Sequence, residues 1–244
     1  MLTISICNGS NSNEIKITHI RPDNKYYSAY FGETIILPCH VENLKQSTVI
    51  WQYIKNPLPV TLTVGLVQYK TDYRVRLVTN LTSEDAQKWD LEIRKLKLED
   101  EGNYLCRITN NGVTLKRVIY LKVLVRMAID PINPQVYFKE SLTLNCNTSY
   151  MQNADNERRS IFTSNIGTFE WFKNNESNSL NYHHDMSNHS NYMVENFYSP
   201  TFSSQLIILH IKSSNIATYT CRFRSQNVST TLKKATSKFD FYKI

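Results

Sequence analysis

The chain has 244 residues, with 28 Lys and Arg against 21 Asp and Glu for a net charge of +7. The length suits two domains of roughly 100 to 120 residues, and the cations are scattered among the acids, without the runs of about 5 to 8 basic residues that mark nucleic-acid patches, so nucleic acid is excluded as a partner. Rich in Tyr and Phe, poor in Gly, and lacking any apolar run near the roughly 18 residues of a membrane span, the composition is that of an all-β chain that does not cross a bilayer.

In chain order, residues 1–25 are rich in Asn and Ser with little periodicity and read as a flexible leader, order beginning near Tyr27. The start, Met1 to Cys7, has neither a basic n-region nor an h-region of about 7 to 15 apolar residues, and the end, Phe239 to Ile244, carries no anchor signal. A signal peptide is therefore expected to be missing from this sequence, and any membrane association to use an anchor absent from it. From Gly32 to Cys39 the chain alternates, placing Ile35, Leu37 and Cys39 on one face of a half-buried strand. Trp51 follows in Thr48-Val-Ile-Trp-Gln-Tyr53, then Leu62-Thr-Val64-Gly65-Leu66, then Trp89-Asp-Leu91-Glu-Ile93 with Leu96, then Asp100-Glu-Gly102-Asn-Tyr104-Leu-Cys106. Ile119-Tyr-Leu121-Lys-Val123-Leu-Val125 reads as the last strand of a first domain over 26–125. Residues 126–134 read as a short proline-stiffened linker, and 135–244 as a second domain.

That second domain repeats the first. Counting back from Cys221, Tyr219 matches Tyr104, Asn215 matches Asp100, Ile211 matches Leu96, Ile208 matches Ile93 and Leu206 matches Leu91; upstream, Leu142-Thr-Leu144-Asn-Cys146 and Trp171 complete the copy. Two departures stand out. Ala217 and Asn215 replace the Gly and Asp of the first copy, removing an ion pair and threatening the turn, and the interval from Cys146 to Trp171 is about double that from Cys39 to Trp51, which predicts a long loop around 153–164. The wide spacing of the five cysteines excludes CxxC-type metal or redox sites, and Cys39, Cys106, Cys146 and Cys221 look like two disulfides made in an oxidising compartment. Cys7 is left over, with three readings open: unpaired in the leader, paired between molecules, or absent from the mature protein.

The Cys, Trp, Leu, Asp-x-Gly-x-Tyr-x-Cys series resembles the immunoglobulin superfamily pattern. The resemblance implies two tandem immunoglobulin-like β-sandwich domains, the first V/I-set-like and the second more divergent. It implies bridges Cys39 to Cys106 and Cys146 to Cys221 between facing sheets, Trp51 and Trp171 packed on them, Tyr104 and Tyr219 as tyrosine corners, and an ion pair of Arg74 with Asp100. Over about 27–125, the segments Leu62-Thr-Val-Gly65, Asp72 to Arg74 and Trp89 to Ile93 resemble the Dpr and DIP neuronal recognition proteins and their lachesin and IgLON relatives, the Dpr branch most. That resemblance implies adhesion through the C, C′, F and G face of the first domain, against another immunoglobulin-superfamily protein on a cell surface, homophilic or heterophilic. Alternation turns Gln52, Ile54, Leu105 and Arg107 outward from Trp51, Tyr104 and Cys106, and Leu62, Val64 and Leu66 are assigned to the same face. An apolar patch with polar edges follows, as interfaces require.

Glycosylation sequons occur at Asn8, in the leader, and at Asn80, Asn147, Asn175, Asn188 and Asn227, of which Asn80, Asn175 and Asn188 are read as lying away from this face. His183, His184, Asp185 and His189 fit no established ligand spacing, so no metal or other cofactor is expected. None of the nucleophile, phosphate-loop or dinucleotide motifs occurs, and the chain is read as a binding protein, not an enzyme. Two alternatives stand beside neuronal or synaptic recognition: a secreted matrix- or immune-type binding module using second-domain loops, and an ectodomain fragment of a larger receptor.

Overall fold

The computed structural model describes residues 19–21, 25–44, 47–55, 58–69, 71–81, 86–110, 113–151, 167–177, 179–180, 191–198 and 201–235. Their regular structure is strand apart from short 3-10 turns, and they divide into two compact units. Among them, no helix is long and apolar enough to cross a membrane.

The first unit is a two-sheet sandwich. One sheet has the order β1 (His19–Arg21), β4 (His40–Glu42), β9 (Ala86–Ile93), β3 (Ile35–Leu37), with β8 (Val75–Asn80) also on β9. The other runs β2 (Tyr26–Tyr30), β11 (Val113–Leu124), β10 (Gly102–Asn110), β5 (Thr48–Ile54), β6 (Val60–Val64), β7 (Val67–Gln68). Between β3 and β4, Pro38 has no N–H to donate and breaks the ladder. The Asp90 carboxylate takes the next N–H, that of Cys39, at 2.9 Å. Pairing starts earlier than the expected leader allows: His19, Ile20 and Arg21 oppose Glu42, Val41 and His40, and Arg21 meets Glu42 at 3.1 Å. Three residues are too few to show a period in the sequence, so this strand escapes the eye; residues 1–18, Cys7 and Asn8 included, lie outside the described residues.

In the second unit, one sheet has the order β12 (Met127–Asp130), β14 (Leu142–Met151), β17 (Thr201–Ile208), β16 (Tyr192–Tyr198). The other is β15 (Phe169–Lys173), β18 (Thr218–Phe223), β19 (Gln226–Thr231), with β13 (Gln135–Val136) beside β20 (Lys233–Lys234) as a short parallel pair. The expected linker 126–134 is corrected here. Met127 to Asp130 pair with Asn145 to Thr148, and buried Ile129 sits opposite Cys146, so this part of the segment is an edge strand of the second unit. The long loop expected around 153–164 lies outside the described residues.

Each unit is closed by a disulfide between its sheets, Cys39 to Cys106 and Cys146 to Cys221, each with Cα atoms 6.4 Å apart. Fully buried Trp51 and Trp171 pair in register with Cys106 and Cys221. The indole N–H of Trp51 donates to the Trp89 carbonyl at 2.7 Å, and that of Trp171 to the Ser204 hydroxyl at 2.9 Å. Both tyrosine corners form: Tyr104 Oη donates to the Asp100 carbonyl at 2.8 Å and Tyr219 Oη to the Asn215 carbonyl at 3.1 Å. Burial pushes both hydroxyls well above the usual tyrosine range.

What surrounds the corners differs. In the first unit buried Arg74 reaches Asp100 with both Nη1, at 2.6 Å, and Nη2, at 3.1 Å, while Nη2 also meets Asp72 at 2.8 Å. Burial works against the Arg74 charge, but the bonds to Asp100 and Asp72 outweigh it and hold the guanidinium above its ordinary pKa. In the second unit buried Asn215 takes the Lys212 N–H at 2.8 Å and donates to Tyr192 Oη at 2.7 Å, with Tyr192 and Tyr219 hydroxyls 3.3 Å apart. Gly102 adopts φ +151°, and a Cβ there would come within 2.8 Å of Tyr53 Oη. Ala217 at the equivalent place needs no positive φ, so the second turn tolerates it.

Candidate recognition face

The outward surface of the six-stranded sheet is built row by row from its register. One row runs Val67, Val64, Ile50, Arg107, Lys116; the next runs Thr61, Gln52, Leu105, Val118; a third runs Ile54, Asn103, Tyr120. The strands form because Val, Ile, Thr and Tyr dominate them and alternate with the buried set Val49, Trp51, Tyr104, Cys106, Ile108, Ile119, Leu121. Ile54 at 40% exposure, with exposed Val67 and Val118 and half-buried Ile50, Val64 and Leu105, gives an apolar centre. Arg107 is half-buried and Lys116 exposed at one side of it.

Leu62 does not belong to this face. It is 1% exposed in the core, because a β-bulge shifts the β5–β6 register between Trp51 and Gln52: Trp51 opposes Thr63 while Gln52 opposes Thr61. The extra residue turns Leu62 and Thr63 both inward, whereas an unbroken alternation would group Leu62 with Val64. Gln52 lies in the outward register but is only 8% exposed, its amide donating to Thr61 Oγ1 at 3.2 Å. Ile54, Val64, Leu105 and Arg107 share the outward register with it, whereas exposed Leu66, expected on this face, lies in the turn between β6 and β7. Val118, Lys116 and Ile50 were legible but missed: the burial of Ile119 and Leu121 in the apolar alternation of β11 fixes Val118 and Lys116 as outward, and Ile50 follows from Trp51 by the same rule.

Exposed Asn80 is on β8, in the opposite sheet of the first unit; exposed Asn147, Asn175 and Asn227 are in the second unit. Asn188 and the His183, His184, Asp185, His189 cluster lie outside the described residues. Among the described residues no group of three or more His, Cys, Asp or Glu side chains could hold a metal ion.

Residues 23–124 match the immunoglobulin V-set domain. Over 97 residues the chain is 29% identical to cell adhesion molecule DSCAM of Gallus gallus, and over 91 residues 30% identical to T-lymphocyte activation antigen CD86 of Homo sapiens. These matches take in 38% and 35% of this chain and span only 4% and 27% of the two relatives. Among solved structures it is similar to Dpr2 Ig1-Ig2 in complex with DIP-Theta (18% identity, 90% of this chain and 99% of that one, TM-score 0.39). It is also similar to Dpr1 IG1 bound to DIP-eta IG1 (26% identity, 44% and 97%, TM-score 0.40).

Proposed function

We propose that this immunoglobulin-superfamily chain, whose first domain is a V-set domain, is an extracellular recognition or adhesion protein that binds another immunoglobulin-superfamily protein through the outward face of β2, β11, β10, β5, β6 and β7. The observation that carries the reading is the apolar centre of that face, Ile54, Val64, Val67, Leu105 and Val118, rimmed by Arg107, Lys116 and Thr61. Neighbouring exposed aliphatic groups of this kind are what a protein interface withdraws from water. The Asn80 sequon, on the opposite sheet, would keep a glycan clear of it. Two disulfides between sheets support an oxidising, extracellular setting. The neuronal or synaptic setting rests on the Dpr-like segments of the first domain, and what the chain offers is binding, without chemistry of its own. A single domain face of this size gives an affinity on the order of micromolar.

Biosensor titration of the secreted chain against itself and against a panel of immunoglobulin-superfamily ectodomains tests this. Ile54→Asp and Val64→Asp are each expected to weaken the interaction at least tenfold, while Glu195→Ala, on an exposed edge strand of the second unit, leaves it unchanged. Binding indifferent to both face substitutions would refute the reading and favour the second-domain loops.

A further inference from the structure

The six strands of the recognition sheet contain no Asp or Glu at all. Their charged residues are Arg107, Lys116, Arg117 and Lys122, of which Arg117 points inward opposite Cys106 and the other three share the outward alternation. The opposite sheet differs: its carboxylates Glu42 and Glu92 meet cations of their own sheet or its margin, Arg21 at 3.1 Å and Arg76 with Arg94, and Asp90 meets the His40 imidazole at 3.3 Å. On the recognition face Arg107 stands between Ile50 and Lys116 in its row, and its Nε is shielded from water without an acceptor. Arg107 is half-buried and Lys116 exposed, so their charges can meet a partner carboxylate at the surface, where charge-assisted hydrogen bonds are the strong kind.

We propose that the occupant of this face is not a second copy of the chain but a protein whose contact surface is apolar and carries carboxylates over Arg107 and Lys116. The proposal rests on the recognition reading above and adds the partner's charge. In a two-fold homodimer a face meets itself, and the carboxylate at its margin, that of Glu101, already accepts from outward Tyr120 Oη at 3.4 Å, so a second copy brings an engaged acid against Arg107, Lys116 and Lys122. A partner with carboxylates there supplies attraction at a distance and register on contact.

Sedimentation equilibrium at about 50 mM and about 500 mM salt, which brackets strong and weak screening, tests the proposal with the chain itself as probe. Three samples are compared: wild type, an Arg107→Glu/Lys116→Glu variant, and their equimolar mixture. Wild type is expected to stay monomeric at both salts. The mixture is expected to associate at least tenfold more tightly than either component at low salt, to lose that gain at high salt, and to lose it when Ile54→Asp is added. Wild-type dimers abolished by Ile54→Asp would overturn the proposal, as would a mixture no tighter than wild type alone. Association that survives Ile54→Asp would instead remove the recognition face itself. Unfolding midpoints verify that the double variant is folded, and Lys116→Glu alone, at an exposed position, carries the same comparison if it is not.

Discussion

The two tyrosine corners do the same job with opposite electrostatics. In the first unit a buried guanidinium, Arg74, is bracketed by Asp100 and Asp72 under the Tyr104 hydroxyl. In the second a neutral chain of Asn215, Tyr192 and Tyr219 fills the equivalent place, and Tyr219 still reaches the Asn215 carbonyl. Tyr192 opposes Ile208 as Val75, next to Arg74, opposes Ile93, so a phenol at the start of β16 stands in for the guanidinium at the start of β8. The ion pair is thus one of at least two ways to satisfy the polar atoms that the corner buries. What both ways share is complete pairing of the polar groups around the tyrosine, and the charge itself is dispensable.

Removing one member of each network separates the two solutions. Arg74→Ala leaves Asp100 buried and Asp72 partly buried without their cation, and a broken buried pair costs about 3–5 kcal/mol. Hydrogen exchange measured peptide by peptide should show protection lost across β8, β9 and β10 and kept across β16, β17 and β18. Asn215→Ala should do the reverse at smaller cost, about 1–3 kcal/mol, because the group it strands, the Lys212 N–H, is neutral, and the Tyr192 hydroxyl keeps its contact with Tyr219 Oη. If Asn215→Ala cost as much as Arg74→Ala, charge would not be what distinguishes the corners.

How legible each region was in the sequence follows from how long its pattern runs. The alternation from Ile35 to Cys39, and its copy from Leu142 to Cys146, locate the strands that carry the disulfides, and the matched spacing back from Cys106 and Cys221 locates both corners. The outward side of the six-stranded sheet, the proposed recognition face, was legible wherever alternation was unbroken, as from Trp51 to Ile54 and from Tyr104 to Arg107. It failed at Leu62, where one bulged residue reverses the parity of everything before it and leaves no mark in composition. Short edge strands failed for another reason. His19 to Arg21 and Met127 to Asp130 take their order from neighbours already in place, and a run of three or four residues carries too little pattern of its own. The phenol that replaces Arg74 was invisible because Tyr192 and Asn215 lie far apart in the chain, and only the pairing of β16 with β17 brings their ends together.

The smallest expected effect is in pH, and it sharpens the same contrast. Glu92 in the first unit is held below its ordinary value of 4.5, chiefly by the hydrogen bond from Arg76, with Arg94 adding to it and burial opposing it. A carboxylate whose folded pKa is depressed contributes stability that is present above about 4.5 and is lost as the pH falls through the folded value. Arg76 and Arg94 are about half exposed, so solvent screens both pairs and the loss is far smaller than that from Arg74→Ala. Tyr104 and Tyr219 are both raised above their ordinary value of 10.0 by burial, and their contribution is full below that pH and lost as the pH rises toward the folded values. The alkaline limb should therefore be common to the two units, while an acid limb from Glu92 belongs to β8 and β9 of the first. Urea midpoints at pH 6 and pH 3, compared between wild type and Glu92→Gln, measure that limb: the wild-type midpoint should fall more steeply with acid than that of the variant. Equal slopes would mean that the Arg76 and Arg94 clamp on Glu92 adds nothing in solution.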